Sequence, residues 1–439
     1  MRMRLLAVTV VVVAAFAASP AAAGAVTILE IPGYDEPRTP DRYDRVRVLR
    51  FGPQAARRVL VLVPGEIGGA GGFKILAEAL VRRVPGLQVW ALDRRSNALE
   101  DTSRFQGATS LDTALDYYGG VKLRQVDGAR DAPYARRWGL KVAVEDLRRV
   151  VQIARRGGRK VTLGGHSLGA STAVAYAAWD FAGRPGHRDI DGLVLIDGGL
   201  LGTFHTADLA EAQRRKAEID GGDPFLAYLE GYPPWAAGVL AELGAMFAAR
   251  EPQARSRLQD FPLLPPAFKP AVPVTNQGLL GYAFDRETSP AGFEGLRVDG
   301  GALAGSGDVR GWVDGGRTPV GNVARILFQE PVNSVEWYFP RRLTLDVDAA
   351  SPLARTGAGR LLGLRTWHVR SITDSIYAYQ TGYTQGRVVP AAHELFRRTR
   401  SRFFSRLDDP GAEHEDPLWA TPSRNAFVRG VVPFLKRLG

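Results

Sequence analysis

The sequence of 439 residues has no cysteine, and only seven of its 57 basic residues are lysine. Without cysteine the chain forms no disulfides, no cysteine-ligated zinc site and no lipid attachment through an amino-terminal cysteine. The remaining 50 basic residues are arginines, interleaved with 46 acidic residues. A nucleic-acid site would gather its positive charge on one face. Because the charges are interleaved, we predict no nucleic-acid partner in spite of the net charge of +11.

Long hydrophobic runs are scarce as well, and a notable one lies at residues 5–17, directly after Arg2 and Arg4. This run is shorter than the ~20 residues that span a bilayer. Small alanines at 21–23 follow it, and a charged start, a short apolar segment and a small-residue cleavage site are typical of a signal peptide. We therefore predict a signal peptide over 1–23, a secreted or cell-envelope protein and no stable membrane span. A membrane anchor is the alternative interpretation.

Strand and helix patterns alternate from residue 57 onward. A continuously apolar run such as Val59–Val63 is typical of a strand buried on both faces of a parallel sheet. Alternation of such strands with helices indicates βαβ units. We predict an α/β fold, in which a mostly parallel sheet carries helices on both faces. The predicted strands up to this point are 59–63, 87–92, 160–164 and 193–196, and the predicted helices are 73–83, 141–155 and 168–178.

The pattern changes after Gly199, where helices lose their intervening strands and proline becomes dense. One of these helices is predicted to run to Ile219 with Thr206 as its N-cap residue. Strands return at 376–379 and 402–406, and a last helix is predicted at 424–436. We predict a mainly helical cap inserted after the sixth strand. The predicted division is 24–199 for the first part of the core, 200–342 for the cap and 343–439 for the rest of the core.

The strongest local signal is a G-x-S-x-G sequence at Gly165–Gly169. It follows a predicted strand and begins a predicted helix. In that setting the serine occupies a strained turn that exposes its hydroxyl, and the flanking positions must be small because two backbones pass close together. Short Gly/Ser patterns also arise in ordinary turns, but the strand-to-helix context favours Ser167 as a nucleophile.

A serine hydroxyl needs a base to become nucleophilic. His414 follows the last predicted strand and precedes the final helix, which agrees with the chain order serine, acid, histidine. We predict that His414 is the base; the alternative is a surface histidine in an acidic stretch. His166 lies inside the turn and would point away from Ser167. The other histidines are His187, His205, His368 and His393.

The acid should accept a hydrogen bond from the histidine and fix its tautomer. Asp197 ends the predicted strand 193–196, at the carboxyl edge of the sheet where sites of such folds lie. The later strand 376–379 is followed by no carboxylate. We therefore predict Asp197 as the acid and keep Asp374 in reserve. An ordinary Asp-Gly turn is the alternative interpretation of Asp197.

A glycine-rich turn at 63–72 allows two interpretations. As an oxyanion loop, the backbone N–H of Glu66 would join that of Leu168 in stabilising a tetrahedral oxyanion. As a dinucleotide loop, it would act with Asp93, about twenty residues further on. Lys74 stands where the third glycine of the dinucleotide pattern should be, and no Gly-Lys-Ser/Thr follows. We predict an oxyanion loop, and no cofactor or metal.

At these residues the chain resembles the α/β-hydrolase superfamily, in particular secreted bacterial serine hydrolases with an inserted cap. The matching segments are 62–65, 165–169, 193–198, and His414 with Asp416 ahead of the last helix. The resemblance implies a Ser167–His414–Asp197 triad and an acyl-enzyme. Pro64 departs from the family, because many members have histidine before the oxyanion glycine. Some members place the acid after the sixth strand, which Asp197 matches.

The predicted function is hydrolysis of a carboxylic ester in a small-molecule acyl substrate. Amide, lactone and peptide bonds remain alternatives, since fold and motif do not separate them. A non-catalytic secreted binding protein on the same fold is the rival class, and a nucleotide-dependent enzyme is a third. Aromatic residues after 200 are predicted to line an acyl pocket or to form core: Trp235, Phe247, Phe261, Phe268, Tyr282, Phe284, Trp337, Tyr338 and Phe339.

Overall fold

The computed structural model describes residues 10–11, 26–328 and 334–438. Most of the predicted signal peptide at 1–23 lies outside the described residues, so signal peptide and secretion stay predictions. Val10 and Val11 form a short strand opposite Ile28 and Leu29. Within these ranges, no helix combines the length and the hydrophobicity that a bilayer crossing needs.

A single large sheet organises the chain. In the described part of the chain its strands are β1 (Val10–Val11), β2 (Thr27–Pro32), β3 (Arg45–Phe51), β4 (Arg58–Val63), β5 (Leu87–Leu92), β6 (Lys160–His166), β7 (Gly192–Ile196), β8 (Ser375–Thr381) and β9 (Phe404–Asp409). Their spatial order is β1-β2-β3-β5-β4-β6-β7-β8-β9. Strands β5, β4, β6, β7, β8 and β9 are parallel to their neighbours in this group, whereas β1, β2, β3 and β5 pair antiparallel. This confirms the predicted α/β fold with a mostly parallel sheet.

The helices of the described residues lie on both faces of this sheet and in the long connection between β7 and β8. They are α1 (Lys74–Arg83), α2 (Leu111–Ala114), α3 (Gly128–Asp131), α4 (Leu140–Ala154), α5 (Leu168–Ala178), α6 (Leu209–Gly221), α7 (Ala236–Arg250), α8 (Asn276–Phe284), α9 (Val320–Leu327), α10 (Arg341–Ala349), α11 (Gly357–Leu362), α12 (Val388–Arg398), α13 (Asp416–Trp419) and α14 (Ala426–Arg437). Two short hairpins, Asp180–Phe181 with Arg184–Pro185 and Gly301–Leu303 with Trp312–Asp314, lie outside the sheet.

The central strands have continuous apolar runs, such as 59–63 in β4 and 193–196 in β7, because helices cover both of their faces. Side chains alternate across a strand, so Val61 and Leu195 pack in the cluster that contains α4 and α5. Leu60 and Val194 pack in the opposite cluster, with α1 and α14. The continuous apolar run at 59–63 is thus explained by two separate layers of core.

We call residues 197–374 the inter-strand segment. Its described residues, 197–328 and 334–374, add no strand to the main sheet and carry α6 to α11. The predicted cap domain at 200–342 falls within it, but α10 crosses the predicted boundary at 342, so the division into domains stays a prediction.

The prediction that Thr206 is the N-cap residue of the helix that ends near Ile219 is wrong. Helix α6 begins at Leu209, and the side chain of Asp208 accepts a hydrogen bond from the Glu211 N–H. A carboxylate also suits the positive end of the helix dipole.

Candidate active site

Ser167 is the single residue between the end of β6 and the start of α5. Its backbone has φ 54° and ψ −126°, a conformation that side-chain-bearing residues rarely adopt. The Ser167 N–H donates to the Ile196 carbonyl oxygen at 2.9 Å, which ties the turn to the end of β7. The sharp turn predicted from the sequence is therefore present, and Ser167 occupies its apex.

The glycines around this turn are required by close backbone contacts. A Cβ atom on Gly165 would lie 2.2 Å from the Gly169 carbonyl carbon, and one on Gly169 would lie 2.0 Å from the Val63 carbonyl oxygen. A Cβ atom on Gly198, at the end of β7, would lie 2.1 Å from the Ser167 carbonyl oxygen. The turn is thus clamped between the ends of β4 and β7, with no space for a methyl group.

Asp197 and His414 form a direct pair although 217 residues separate them. The Asp197 Oδ2 atom lies 2.6 Å from His414 Nδ1, and both side chains are buried. Asp197 also has a positive φ of 47°, so a second strained residue turns this carboxylate toward the histidine. The structure therefore brings together the acid and the base that the sequence predicts.

Two threonines, Thr381 at the end of β8 and Thr384 just after it, hydrogen-bond the carboxylate oxygens of Asp197. The Thr381 N–H donates to Oδ1 at 2.7 Å, its hydroxyl donates to Oδ2, and the Thr384 hydroxyl donates to Oδ1 at 2.8 Å. Burial acts to raise the pKa of Asp197, but the hydrogen bond and charge of His414, with the bonds from Thr381, leave that pKa below its usual value. The sequence indicates only that no carboxylate follows the predicted strand 376–379. Support of the acid by polar residues of this neighbouring strand is not predicted from it.

Ser167 and His414 line the same cavity. Among the described residues the Ser167 hydroxyl makes no hydrogen bond with His414, and such bonds between catalytic side chains are often long without substrate. The His414 ring lies between the rings of His166 and Tyr383, each with its centroid 4.3 Å away. His166 Nε2 also bonds the His414 carbonyl oxygen at 2.9 Å. Burial, followed by the effect of His414, lowers the pKa of His166 to about 3, so His166 is a neutral support.

The glycine-rich turn lies directly against the serine. A Cβ atom on Gly65 would be 3.1 Å from the Ser167 Cβ. Glu66 and Leu168 are neighbours of these two residues, and their backbone N–H groups donate to no other group in the described parts of the chain. Leu168 is the first residue of α5, where N–H groups have no partner within the helix. Both predicted oxyanion donors are thus free beside Ser167.

A buried ion pair that is not predicted from the sequence holds the glycine-rich turn in place. The Arg94 guanidinium donates to the carbonyl oxygens of Pro64 and Gly65, the latter at 2.9 Å, and it bonds Glu336 Oε2 at 2.7 Å. The neighbouring Asp93 accepts the Ala70 N–H at 2.6 Å, and burial raises its pKa to about 6. The carboxylate that a dinucleotide would need is therefore used inside the turn itself.

The other candidate acid and several of the other histidines pair with residues outside the Asp197–His414 pair. Asp374, the reserve acid, faces His187 across 3.6 Å and not His414. His368 pairs with Asp180 at 2.8 Å and His205 with Glu211 at 2.9 Å. Within the described ranges, no group of three or more histidine, cysteine, aspartate or glutamate side chains could hold a metal ion.

Comparisons with known proteins bear on the fold of the chain. Residues 58–233 match a family model described as alpha/beta hydrolase fold. A solved structure of a putative lipase from Sulfolobus solfataricus superposes with a TM-score of 0.51 and 15% identity, covering 95% of this chain and 96% of that one. The chain has the alpha/beta hydrolase fold. His414 and the last two strands lie beyond the matched residues, so for them the fold rests on the structure.

Two further similar structures have lower scores. The monoacylglycerol lipase of Paleococcus ferrophilus has a TM-score of 0.42 and 16% identity over 90% of this chain and 99% of that one. A thermophilic esterase from Thermogutta terrifontis has a TM-score of 0.41 and 12% identity over 94% and 98%. Comparison with curated protein sequences found no match.

The cavity of this alpha/beta hydrolase fold is mainly apolar and is roofed by the inter-strand segment. Of the aromatic residues singled out from the sequence, Phe261, Phe268 and Phe284 line it. Others, such as Phe247 and Trp337, are buried in a separate core cluster. The aromatic residues after 200 thus serve both roles considered from the sequence.

Glu415, next to His414, also lines the cavity and is only 8% exposed. Burial, then the neighbouring Asp416, then Asp197 raise the pKa of Glu415 to about 8. The pKa of Asp416 is raised to about 6, chiefly by burial, although Thr318 and two backbone N–H groups bond it. Asp416 is one of the residues at which the sequence resembles the α/β-hydrolase superfamily, whereas no role for Glu415 is predicted from the sequence.

We expect Gly169→Ala to destabilise the protein by about 3 kcal/mol, because its Cβ would overlap the Val63 carbonyl oxygen. Thermal or urea unfolding measures the change. Gly321→Ala is the matched control, since this exposed helical glycine has open space around it and alanine should be neutral or mildly stabilising there. Equal stability of the two variants would contradict the close contact.

We expect Glu415→Gln to raise the melting temperature near pH 8 and to leave it unchanged near pH 4. The pKa of this carboxyl is about 8 in the folded chain and near the ordinary 4.5 when unfolded. Its contribution to stability is therefore complete below the unfolded value and is lost as the pH rises through the folded value. Glutamine does not ionise and avoids this loss.

Thermal unfolding of both proteins over graded pH tests this, with Glu394→Gln as the control because that side chain lies partly exposed on α12 beside Arg398. A stability difference that does not change with pH would show that Glu415 titrates normally.

Proposed function

We propose that the chain is a serine hydrolase that cleaves carboxylic esters, with Ser167 as nucleophile, His414 as base and Asp197 as acid. One observation carries the proposal. His414, which is paired with Asp197 at 2.6 Å, lines the same cavity as a serine held in a strained turn. A histidine oriented by a buried carboxylate beside a serine is the arrangement that nucleophilic catalysis requires.

In the proposed reaction, His414 Nε2 takes the proton of the Ser167 hydroxyl as Oγ attacks the ester carbonyl. Asp197 accepts a hydrogen bond from the Nδ1–H group, which fixes the tautomer and stabilises the imidazolium. His414 then gives its proton to the departing alcohol, which leaves an acyl-enzyme. Water, deprotonated by the same histidine, releases the acid and restores the serine.

The negative charge that develops on the carbonyl oxygen needs donors that are already in place. The free N–H groups of Leu168 and Glu66 stand beside Ser167 for this purpose. Arg94 fixes the second donor, because it holds the carbonyl oxygens of Pro64 and Gly65 on the opposite side of the turn.

An ester is favoured over other acyl donors because the cavity is apolar around the serine, which suits the hydrocarbon part of an acyl ester. Amide, lactone and peptide bonds would use the same groups and remain alternatives. The rival interpretation, a secreted binding protein on this fold, predicts an unreactive Ser167.

We expect Ser167→Ala to lower turnover of p-nitrophenyl esters by at least about 10⁴-fold while the protein stays folded. Wild type should also be labelled by a fluorophosphonate probe at Ser167, and the variant should not. Ser423→Ala, at an exposed serine, is the control and should behave as wild type. Unlabelled wild-type protein would favour the binding-protein interpretation, and equal turnover by both proteins would remove Ser167 as the nucleophile.

We expect Asp197→Asn to reduce kcat by about 10⁴-fold, because an amide favours the wrong tautomer of the histidine. Asp374→Asn is the matched control, since Asp374 is buried like Asp197 but faces His187. Steady-state kinetics on the same ester measures both. If Asp374→Asn caused the larger loss, the assignment of the acid would be wrong.

A further inference from the structure

Glu415 is a buried carboxyl for which the proposed mechanism has no use. It lines the catalytic cavity, is 8% exposed and follows His414 directly. Its backbone N–H bonds the Arg297 carbonyl oxygen at 3.2 Å. Its carboxyl group, however, makes no hydrogen bond or ion pair with any residue that the structure describes.

The other carboxyl groups of the described residues near this cavity have partners. The Thr344 hydroxyl donates to Oε1 of the half-buried Glu66 at 2.5 Å. Thr318 donates to Asp416 at 2.7 Å, and Arg94 pairs with Glu336 at 2.7 Å. A buried polar group without a partner lowers stability, so this single exception, at the edge of the cavity, indicates a group that is satisfied by a ligand.

From this placement we propose that Glu415 binds the polar part of the substrate, as a neutral carboxylic acid that hydrogen-bonds an uncharged hydroxyl or carbonyl group. The apolar cavity then holds the hydrocarbon part. This inference rests on the proposed function, because it assigns the substrate class of the same site.

The neutral form follows from the surroundings of Glu415. With a pKa of about 8, caused first by burial and then by Asp416 and Asp197, the group keeps its proton at neutral pH. A protonated carboxyl has one O–H donor as well as acceptor oxygens. It therefore suits a hydroxyl group, which both donates and accepts.

The charge of the cavity supports an uncharged ligand. The chain carries 57 lysine and arginine residues, yet none of the residues found to line the cavity is a lysine or an arginine. The acidic residues in the lining are Glu66 and Glu415. An anionic substrate would find no lysine or arginine as a counter-charge. A cationic one would require Glu415 to ionise against burial and beside two carboxyl groups.

Calorimetric titration of a Ser167→Ala protein with octan-1-ol, octanoate and octylammonium, at a pH of about 6, tests the proposal without turnover. We expect octan-1-ol to bind most tightly and octanoate at least about tenfold more weakly. Adding Glu415→Leu should weaken octan-1-ol about tenfold. Adding Glu415→Gln should keep its affinity within about threefold, since an amide also donates and accepts.

Glu394→Leu in the same background is the control for loss of a carboxyl far from the cavity, and it should not alter binding. Equal affinity of octan-1-ol for the parent and the Glu415→Leu protein would overturn the inference. Tightest binding of octylammonium, lost in Glu415→Gln, would also overturn it and indicate a cation site. Because binding needs no chemistry, these outcomes are separate from failure of wild-type protein to hydrolyse esters.

Discussion

The close backbone contact between the turn at Ser167 and the ends of β4 and β7 is the constraint on which the site depends. Gly169 touches the Val63 carbonyl and Gly198 touches the Ser167 carbonyl, at distances that exclude a side chain. This contact holds Ser167 at a positive φ. Local strain of this kind persists only where the surrounding structure fixes it. The sheet edge, not the turn alone, therefore determines where the hydroxyl lies.

Buried polar networks complete what the backbone contact begins. Asp197 is held by Thr381, Thr384 and His414, which leaves its carboxylate ionised and correctly directed. Arg94 and Glu336 serve the glycine-rich turn in the same way, at the opposite side of the serine. Asp197 and Glu336 thus each have partners, as the cost of burying a charge demands. The Glu415 carboxyl has no such partner among the described residues, and it faces the cavity.

The inter-strand segment gives the cavity its chemical character. Phe261, Phe268 and Phe284 come from it and make the wall apolar, whereas the sheet edge supplies the polar groups. The same segment supplies Glu336, so it also supports the turn beside Ser167. The covering of the site and its internal geometry are thus coupled through one stretch of chain.

The sequence by itself determined the α/β pattern and the strand-to-helix turn at Ser167, because both follow from the spacing of nearby residues. Continuous apolar runs and helical stripes indicate the strands and helices, and glycines two residues before and after the serine indicate the turn. It also favoured Asp197 and His414 by chain order. Only the tertiary structure decided the support from Thr381 and Arg94 and the helix N-cap at Asp208. It also decided that the Glu415 carboxyl has no partner among the described residues. Each depends on which distant residues meet and on how deeply they are buried, and neither property has a signature in local spacing.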